Sequence, residues 1–295
     1  MSSRQAGQTM FGKIFVFLEM IKFSHTVFAL PFALTGALLA AKGIPEVRQV
    51  FWIIMAMVGA RTAAMGMNRL IDAAIDARNP RTAGRAIPAG LISKGATLAY
   101  ILVATLLMLA AAAMLNPLCL RLSPVALFFL VLYSYCKRFT SLAHVVLGVC
   151  LAAAPMGAWA AIRGTIETPA LILGGVVLFW VAGFDILYAL QDLEFDRSEG
   201  LHSIPVALGL NGSLWMARAF HLVMIALLIW LKLSAGLGLF FLVGIAAAIA
   251  MLGYEHWLLK DGDLTKMDAA FFNMNGYISV ALLLFTALDV LLVSR

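Results

Sequence analysis

Charge is scarce in this chain: only 12% of its 295 residues are Asp, Glu, Lys or Arg, while 63% are hydrophobic and the mean hydropathy is +0.98. Soluble domains carry roughly a quarter charged and about half apolar residues, so a water-exposed globular fold is excluded. Cysteine is nearly missing as well. Cys119, Cys136 and Cys150 are scattered with no CxxC spacing, which argues against a cysteine metal centre or a disulfide framework and leaves them as small apolar residues. No alternating ten-residue strands occur, so a transmembrane β-barrel does not compete. Nothing resembles a nucleic-acid-binding module, and the net charge of +6 reads first as membrane topology.

What the chain has instead is long apolar runs. A membrane-crossing helix needs about 20 mostly apolar residues, and lipid offers no partner to an open backbone, so the spans should be helices. Candidates lie at 22–41, 49–76, 97–115, 122–136, 143–162, 169–191, 212–232, 235–254 and 274–293. The expectation is an all-α polytopic membrane protein, with nine helices bundled around a central cavity open to the cytoplasmic side, forming one integral-membrane domain over 1–295. Glu19 and Lys22 interrupt the first apolar run and further spans follow, which argues against a cleaved signal peptide. With the amino terminus inside, most lysines and arginines fall on the cytoplasmic side of an inner membrane, as the positive-inside rule expects.

Polar residues gather in the cytoplasmic connections 77–96, 137–142, 192–211 and 255–273, and two of the helix ends that feed them look alike. Asn68, Asp72 and Asp76 are spaced four apart and form one helical stripe, which Arg61 joins from deeper in the same run. A second stripe holds Asp185, Tyr188, Asp192 and Asp196. An even number of spans separates the two, so both face the same side. Each is followed by an Ile-Pro turn, Ile87-Pro88 and Ile204-Pro205, which is consistent with an internal duplication.

Carboxylates inside a membrane segment are costly and normally face a polar cavity. Carboxylates with an amide oxygen suit Mg²⁺, which takes one or two of them, several waters and the oxygens of a substrate phosphate. Arg81, Arg85, Lys137 and Arg138 lie on the same side and can hold that anion, the arginines as bidentate forks. Together these groups describe a diphosphate clamp. A single DxxxD would read as snorkelling or topology; two, with Asn68 upstream of one, point to a site. Lys94, Lys260 and Lys266 stay solvated topology signals, and His25 and His144 read as hydrogen-bonded interfacial residues rather than catalysts.

These residues resemble the UbiA superfamily of intramembrane aromatic prenyltransferases. The resemblance rests on Asn68-x3-Asp72-x3-Asp76 with NPRTAGRAIPAG after it, on YSYCKRFT at 133–140 with Leu147-Gly148, and on DILYALQDLEFDRSEGLHSIP at 185–205. It implies Mg²⁺-dependent transfer of a polyprenyl group from its diphosphate to a hydroxylated aromatic acid, most simply 4-hydroxybenzoate in quinone biosynthesis. It also implies that Asn68, Asp72 and Asp76 hold one Mg²⁺ and Asp192 with Asp196 a second. Arg81, Arg85, Lys137 and Arg138 would neutralise the departing diphosphate, Arg61 would bind the acceptor carboxylate, and Asp185 or Tyr188 would orient the phenol or remove its proton. Arg69 departs from the NDxxDxxxD form; it lies off the metal stripe, so metal binding is expected to be unaffected. The NRxxDxxxD form looks like 4-hydroxybenzoate-type enzymes and their relatives in an alternative menaquinone route, which leaves a dihydroxynaphthoate acceptor open. A carrier or divalent-cation transporter is the alternative of another class, though transporters place their sites near the midplane and these residues gather at one face.

Overall fold

The computed structural model describes residues 10–21, 29–259 and 274–292. Within them the chain forms twelve α-helices and a 3₁₀ turn: α1 (Met10–Met20), α2 (Leu30–Ala41), α3 (Val47–Ile71), α4 (Ala73–Asp76), α5 (Lys94–Leu115), α6 (Pro117–Cys136), α7 (Ala143–Arg163), α8 (Thr168–Ala189), the turn Leu190–Asp192, α9 (Leu193–Ser198), α10 (Ile204–Ser234), α11 (Leu239–Leu258) and α12 (Asn275–Leu292). Among the described residues eight helices are long and apolar enough to cross a membrane. The first span expected, at 22–41, is represented by the 12 residues of α2. Lys22, His25, Lys260, Lys266, Arg4 and Arg295 lie outside the described residues.

The helices pair as α3 on α5, α2 and α6 on α7, α7 and α10 on α8, and α11 on α12, with α12 closing against α2. The centre is α8: 72% of the apolar stretch running from α8 into α9 is buried, against 11% for α6. Trp180, Val176, Val181 and Ile186 of α8 have essentially no exposed surface.

Apolar side chains gain little by leaving lipid for one another, so close backbone packing and interhelical hydrogen bonds must hold such a bundle together. Gly148 shows the first: a Cβ there would stand 2.5 Å from the Leu178 carbonyl oxygen, so only glycine lets α7 lie this tightly on α8. Polar staples supply the second. The Trp180 indole donates to Asn275 Oδ1 at 2.8 Å, and Asn116 Nδ2 donates to the Ala160 carbonyl at 2.8 Å. Asp289 Oδ2 accepts from the Gly238 and Phe241 amides at 2.7 and 3.0 Å, capping α11 from the neighbouring α12.

Ile204-Pro205, expected to form a turn, instead opens α10, with Ser203 as the N-cap accepting from the Val206 amide at 3.2 Å. Proline is well suited to the first helical turn because its missing N–H would have had no partner there. Gly209, at φ 67°, then breaks α10 near its start. Ile87-Pro88 does lie in a turn segment.

Candidate active site

Both acidic stripes sit on helix ends that bend at an aspartate, Asp72 in the first and Asp192 in the second. The chain leaves helical geometry at Asp72 (φ −88°, ψ 3°) between α3 and α4, and at Asp192 (φ −103°, ψ 4°) between the 3₁₀ turn and α9. Helical hydrogen bonding still runs through the first bend, from the Asp72 amide to the Asn68 carbonyl and from the Asp76 amide to the Asp72 carbonyl. The fourfold spacing therefore keeps Asn68, Asp72 and Asp76 on one side. Asp76, Asp192 and Asp196 are buried.

Each of the four carboxylates meets a cation. Arg138 Nη2 donates to Asp72 Oδ1 at 2.9 Å, and Arg85 Nη1 to Asp76 Oδ1 at 2.6 Å. Arg81 grips Asp192 through Nε, 2.9 Å from Oδ1, and through Nη2 on Oδ2, while Lys137 Nζ lies 3.0 Å from Asp196 Oδ2. The pairing interleaves the two motifs. Arg81 comes from the loop after the first motif and crosses to the second. Lys137 and Arg138, adjacent at the end of α6, reach one motif each. The structure thus brings Arg81, Arg85, Lys137 and Arg138 against Asp72, Asp76, Asp192 and Asp196.

The loop that carries Arg81 is itself folded. Asn79 Nδ2 donates to Asp192 Oδ1 at 3.0 Å while its Oδ1 accepts from the Arg81 amide at 2.9 Å, and Thr82 Oγ1 donates to the Asp76 carbonyl at 3.0 Å. Asn79 and Thr82 went unnoticed as individuals in the sequence; their polarity in a loop carries no signal until the structure buries them. Arg81 Nη1 also reaches the Tyr188 hydroxyl at 3.5 Å, with the guanidinium over the ring. Arg61 lies half-buried on α3, two turns deeper than Asn68. Asp185 pairs with His144 at 2.7 Å; His144, expected as a hydrogen-bonded interfacial residue, is hydrogen-bonded and its ring is buried.

Arg69, off the stripe by periodicity, is buried and donates from Nη1 to Asn68 Oδ1 at 3.2 Å, while Asn68 Nδ2 donates to Asp72 Oδ2 at 2.8 Å. A long side chain reaches back along the helix to its neighbour, which positional spacing alone does not register. Arg69 thus orients the Asn68 amide.

Burial pushes the Asp72 carboxyl up from its ordinary range, against the opposing hydrogen bond and charge of Arg138. Burial alone would lower the Arg81 guanidinium, but its hydrogen bonds and ion pair with Asp192 outweigh it and hold it above its usual value.

Among the described residues no three His, Cys, Asp or Glu side chains converge as a self-contained metal cage. The donors come as two carboxylate pairs, with Asn68 beside the first. That set fits a hard divalent cation that shares its remaining positions with phosphate oxygens, and the Asp76 Oδ2 atom, buried without a hydrogen-bond partner among the described residues, is a donor of the right kind.

Fold and site together define an intramembrane helical protein with paired acidic and basic side chains gathered at its helix ends. Residues 29–277 match the UbiA prenyltransferase family. The chain is 30% identical over 254 residues to a 4-hydroxybenzoate octaprenyltransferase from Alkalilimnicola ehrlichii, covering 85% of this chain and 86% of that one. Its fold superposes on the apo structure of a UbiA homolog from Aeropyrum pernix K1 with a TM-score of 0.83, at 33% identity, covering 91% and 98% of the two chains. A UbiA homolog from Archaeoglobus fulgidus bound to DMAPP and Mg²⁺ shares the fold at a TM-score of 0.66 and 19% identity, over 90% of this chain and 98% of that one. The chain belongs to the UbiA prenyltransferase family, and the reading as a carrier or cation transporter is set aside.

Proposed function

We propose that the protein transfers a polyprenyl group from its diphosphate to a hydroxylated aromatic acid, with 4-hydroxybenzoate as the leading acceptor. The observation that carries this reading is the interleaving of four carboxylates with four cations from two helix ends and the α6 terminus. Such a site can take up both halves of a metal diphosphate, the carboxylates turning to the metal and the cations to phosphate oxygens.

In this reading Asn68, Asp72 and Asp76 hold one Mg²⁺ and Asp192 with Asp196 a second. Mg²⁺ is supported by the donor chemistry and by its presence with DMAPP in the Archaeoglobus homolog. Bound there, it would neutralise charge that gathers on the diphosphate as the carbon–oxygen bond breaks. Arg81, Arg85, Lys137 and Arg138 stabilise the same developing charge from fixed positions, where it costs no reorganisation. The apolar helix walls keep water from the allylic cation. Arg61, deeper on α3, binds the acceptor carboxylate as a fork. Asp185 and Tyr188, near the end of α8 that leads into the turn holding Asp192, orient the phenol and take its proton. The site and the amino terminus face the cytoplasm, and the two similar bends at Asp72 and Asp192 support descent from a duplicated unit within a single membrane domain.

The acceptor is tested by giving membranes that contain the protein a labelled polyprenyl diphosphate, Mg²⁺ and a panel of aromatic acids. A prenylated 4-hydroxybenzoate is expected; product from dihydroxynaphthoates alone would select a menaquinone-type acceptor, and no product with any member would overturn the reading. For Arg61, replacement by Ala should raise the KM of the acceptor and spare that of the diphosphate. An equal rise in both would remove it from the carboxylate role.

A further inference from the structure

His144 and Asp185 form a pair that the diphosphate clamp does not use. The imidazole Nδ1 stands 2.7 Å from Asp185 Oδ2, the ring is 1% exposed and the carboxylate 18%. An ionised carboxylate can only accept, so Nδ1 carries the hydrogen and donates it. The contact is set by the fold: Gly148, one turn along α7 from His144, brings the α7 backbone against Leu178 of α8, two turns before Asp185. The other ring nitrogen, Nε2, is buried with no hydrogen-bond partner among the described residues, so within them Asp185 is the one hydrogen-bonding contact the imidazole makes. Of the two, Asp185 has the open side. It lies one turn deeper than Tyr188, which touches the clamp through Arg81, and the Tyr133 phenol of α6 is within electrostatic reach of both Asp185 and Asp72.

We propose that His144 is a positioning residue that locks Asp185 in the orientation needed to accept the hydroxyl proton of the aromatic acceptor. With Oδ2 held by the imidazole, Oδ1 is left for the phenol. As the ring carbon beside the hydroxyl forms its bond to the prenyl carbon, the carbon–oxygen bond to diphosphate breaks and the electron pair leaves with the diphosphate. The hydroxyl proton passes to Asp185, giving a neutral dienone. The ring hydrogen then leaves as a proton to the departing diphosphate, Asp185 returns its proton to oxygen, and the aromatic ring is restored. A carboxylate free to rotate would meet the hydroxyl in only a fraction of its orientations, so the imidazole acts on turnover through Asp185. This rests on the prenyl-transfer reading above.

The test compares His144→Asn with His144→Phe in membranes, with kcat and both KM values measured. The asparagine amide nitrogen can stand near the position of Nδ1 and donate to Asp185; phenylalanine fills the ring's space and donates nothing. His144→Phe is expected to lose turnover on the order of 10²-fold while the KM for the polyprenyl diphosphate holds, and His144→Asn to recover at least tenfold of that loss. Thermal stabilisation by Mg²⁺ and inorganic pyrophosphate, retained in both variants, shows that each is folded with its clamp intact. Equal turnover in the two variants, or wild-type turnover in His144→Phe, would overturn the positioning role while leaving prenyl transfer standing. Absence of any prenylated product from the wild type would instead remove the reading on which it rests, and the role with it.

Discussion

The two acidic helix ends are alike in backbone and unlike in surroundings. One bends at Asp72 and the other at Asp192, and each carries a further aspartate buried four residues on. The first brings its own cations, Arg81 and Arg85, in the loop that follows. The second brings none that turn inward: Arg197 faces the exposed Glu194, and Glu199 answers Arg78 from the first loop. The second end is completed from outside, by Arg81 and Lys137 on its aspartates and by His144 on Asp185. In the proposed reaction both ends hold the diphosphate, and the second also extends one step deeper through Asp185, toward the acceptor.

The largest expected effect comes from removing one carboxylate from each end. Asp72→Asn and Asp192→Asn should each cost turnover on the order of 10³-fold, and the double variant little more, because groups that act on one diphosphate are not additive. Fully additive losses would mean two independent sites and would break the comparison. Next comes the chemistry of the crossing cation. Arg81→Lys gives up a two-armed grip on Asp192, whereas Arg85→Lys gives up a single contact to Asp76, so the first should lose roughly tenfold more turnover. Equal losses would mean that only charge matters.

A smaller effect concerns stability. Because folding holds the Asp72 carboxyl above its ordinary pKa, the stability tied to its proton is present at low pH and lost as pH rises through the folded value. A divalent cation replaces that proton, so Mg²⁺ with pyrophosphate should raise Tm more at about pH 7.5 than at about pH 5; thermal shifts equal at both would argue against Asp72 as a metal ligand. The smallest effect is at the rim. Arg78 pairs with Glu199 where 55% of the arginine side chain is exposed, and Arg78→Ala should change stability by less than about 0.5 kcal/mol and leave turnover within roughly twofold.

The long apolar runs and the periodicity of the two stripes were enough to read an all-helical membrane bundle and to bring Asn68, Asp72, Asp76, Asp192 and Asp196 to one end with Arg81, Arg85, Lys137 and Arg138. Hydropathy and a spacing of four act over one or two turns, and that is the range in which a single sequence speaks plainly. Contacts across helices are a different matter. The reach of Arg81 across to Asp192, the burial of Asn79, and the His144–Asp185 pair depend on how α7 and α8 pack, and Gly148 reveals that packing only once Leu178 is placed against it. Arg69 shows the same limit at short range, since a flexible side chain defeats a face assigned from Cα positions.

The most direct test is formation of prenylated 4-hydroxybenzoate from labelled polyprenyl diphosphate in membranes, with and without Mg²⁺, for the wild type, Asp72→Asn and Asp192→Asn side by side. Product from the wild type that needs Mg²⁺ and disappears in both variants is the predicted result. Undiminished product from either variant would contradict a diphosphate site built jointly by the two helix ends.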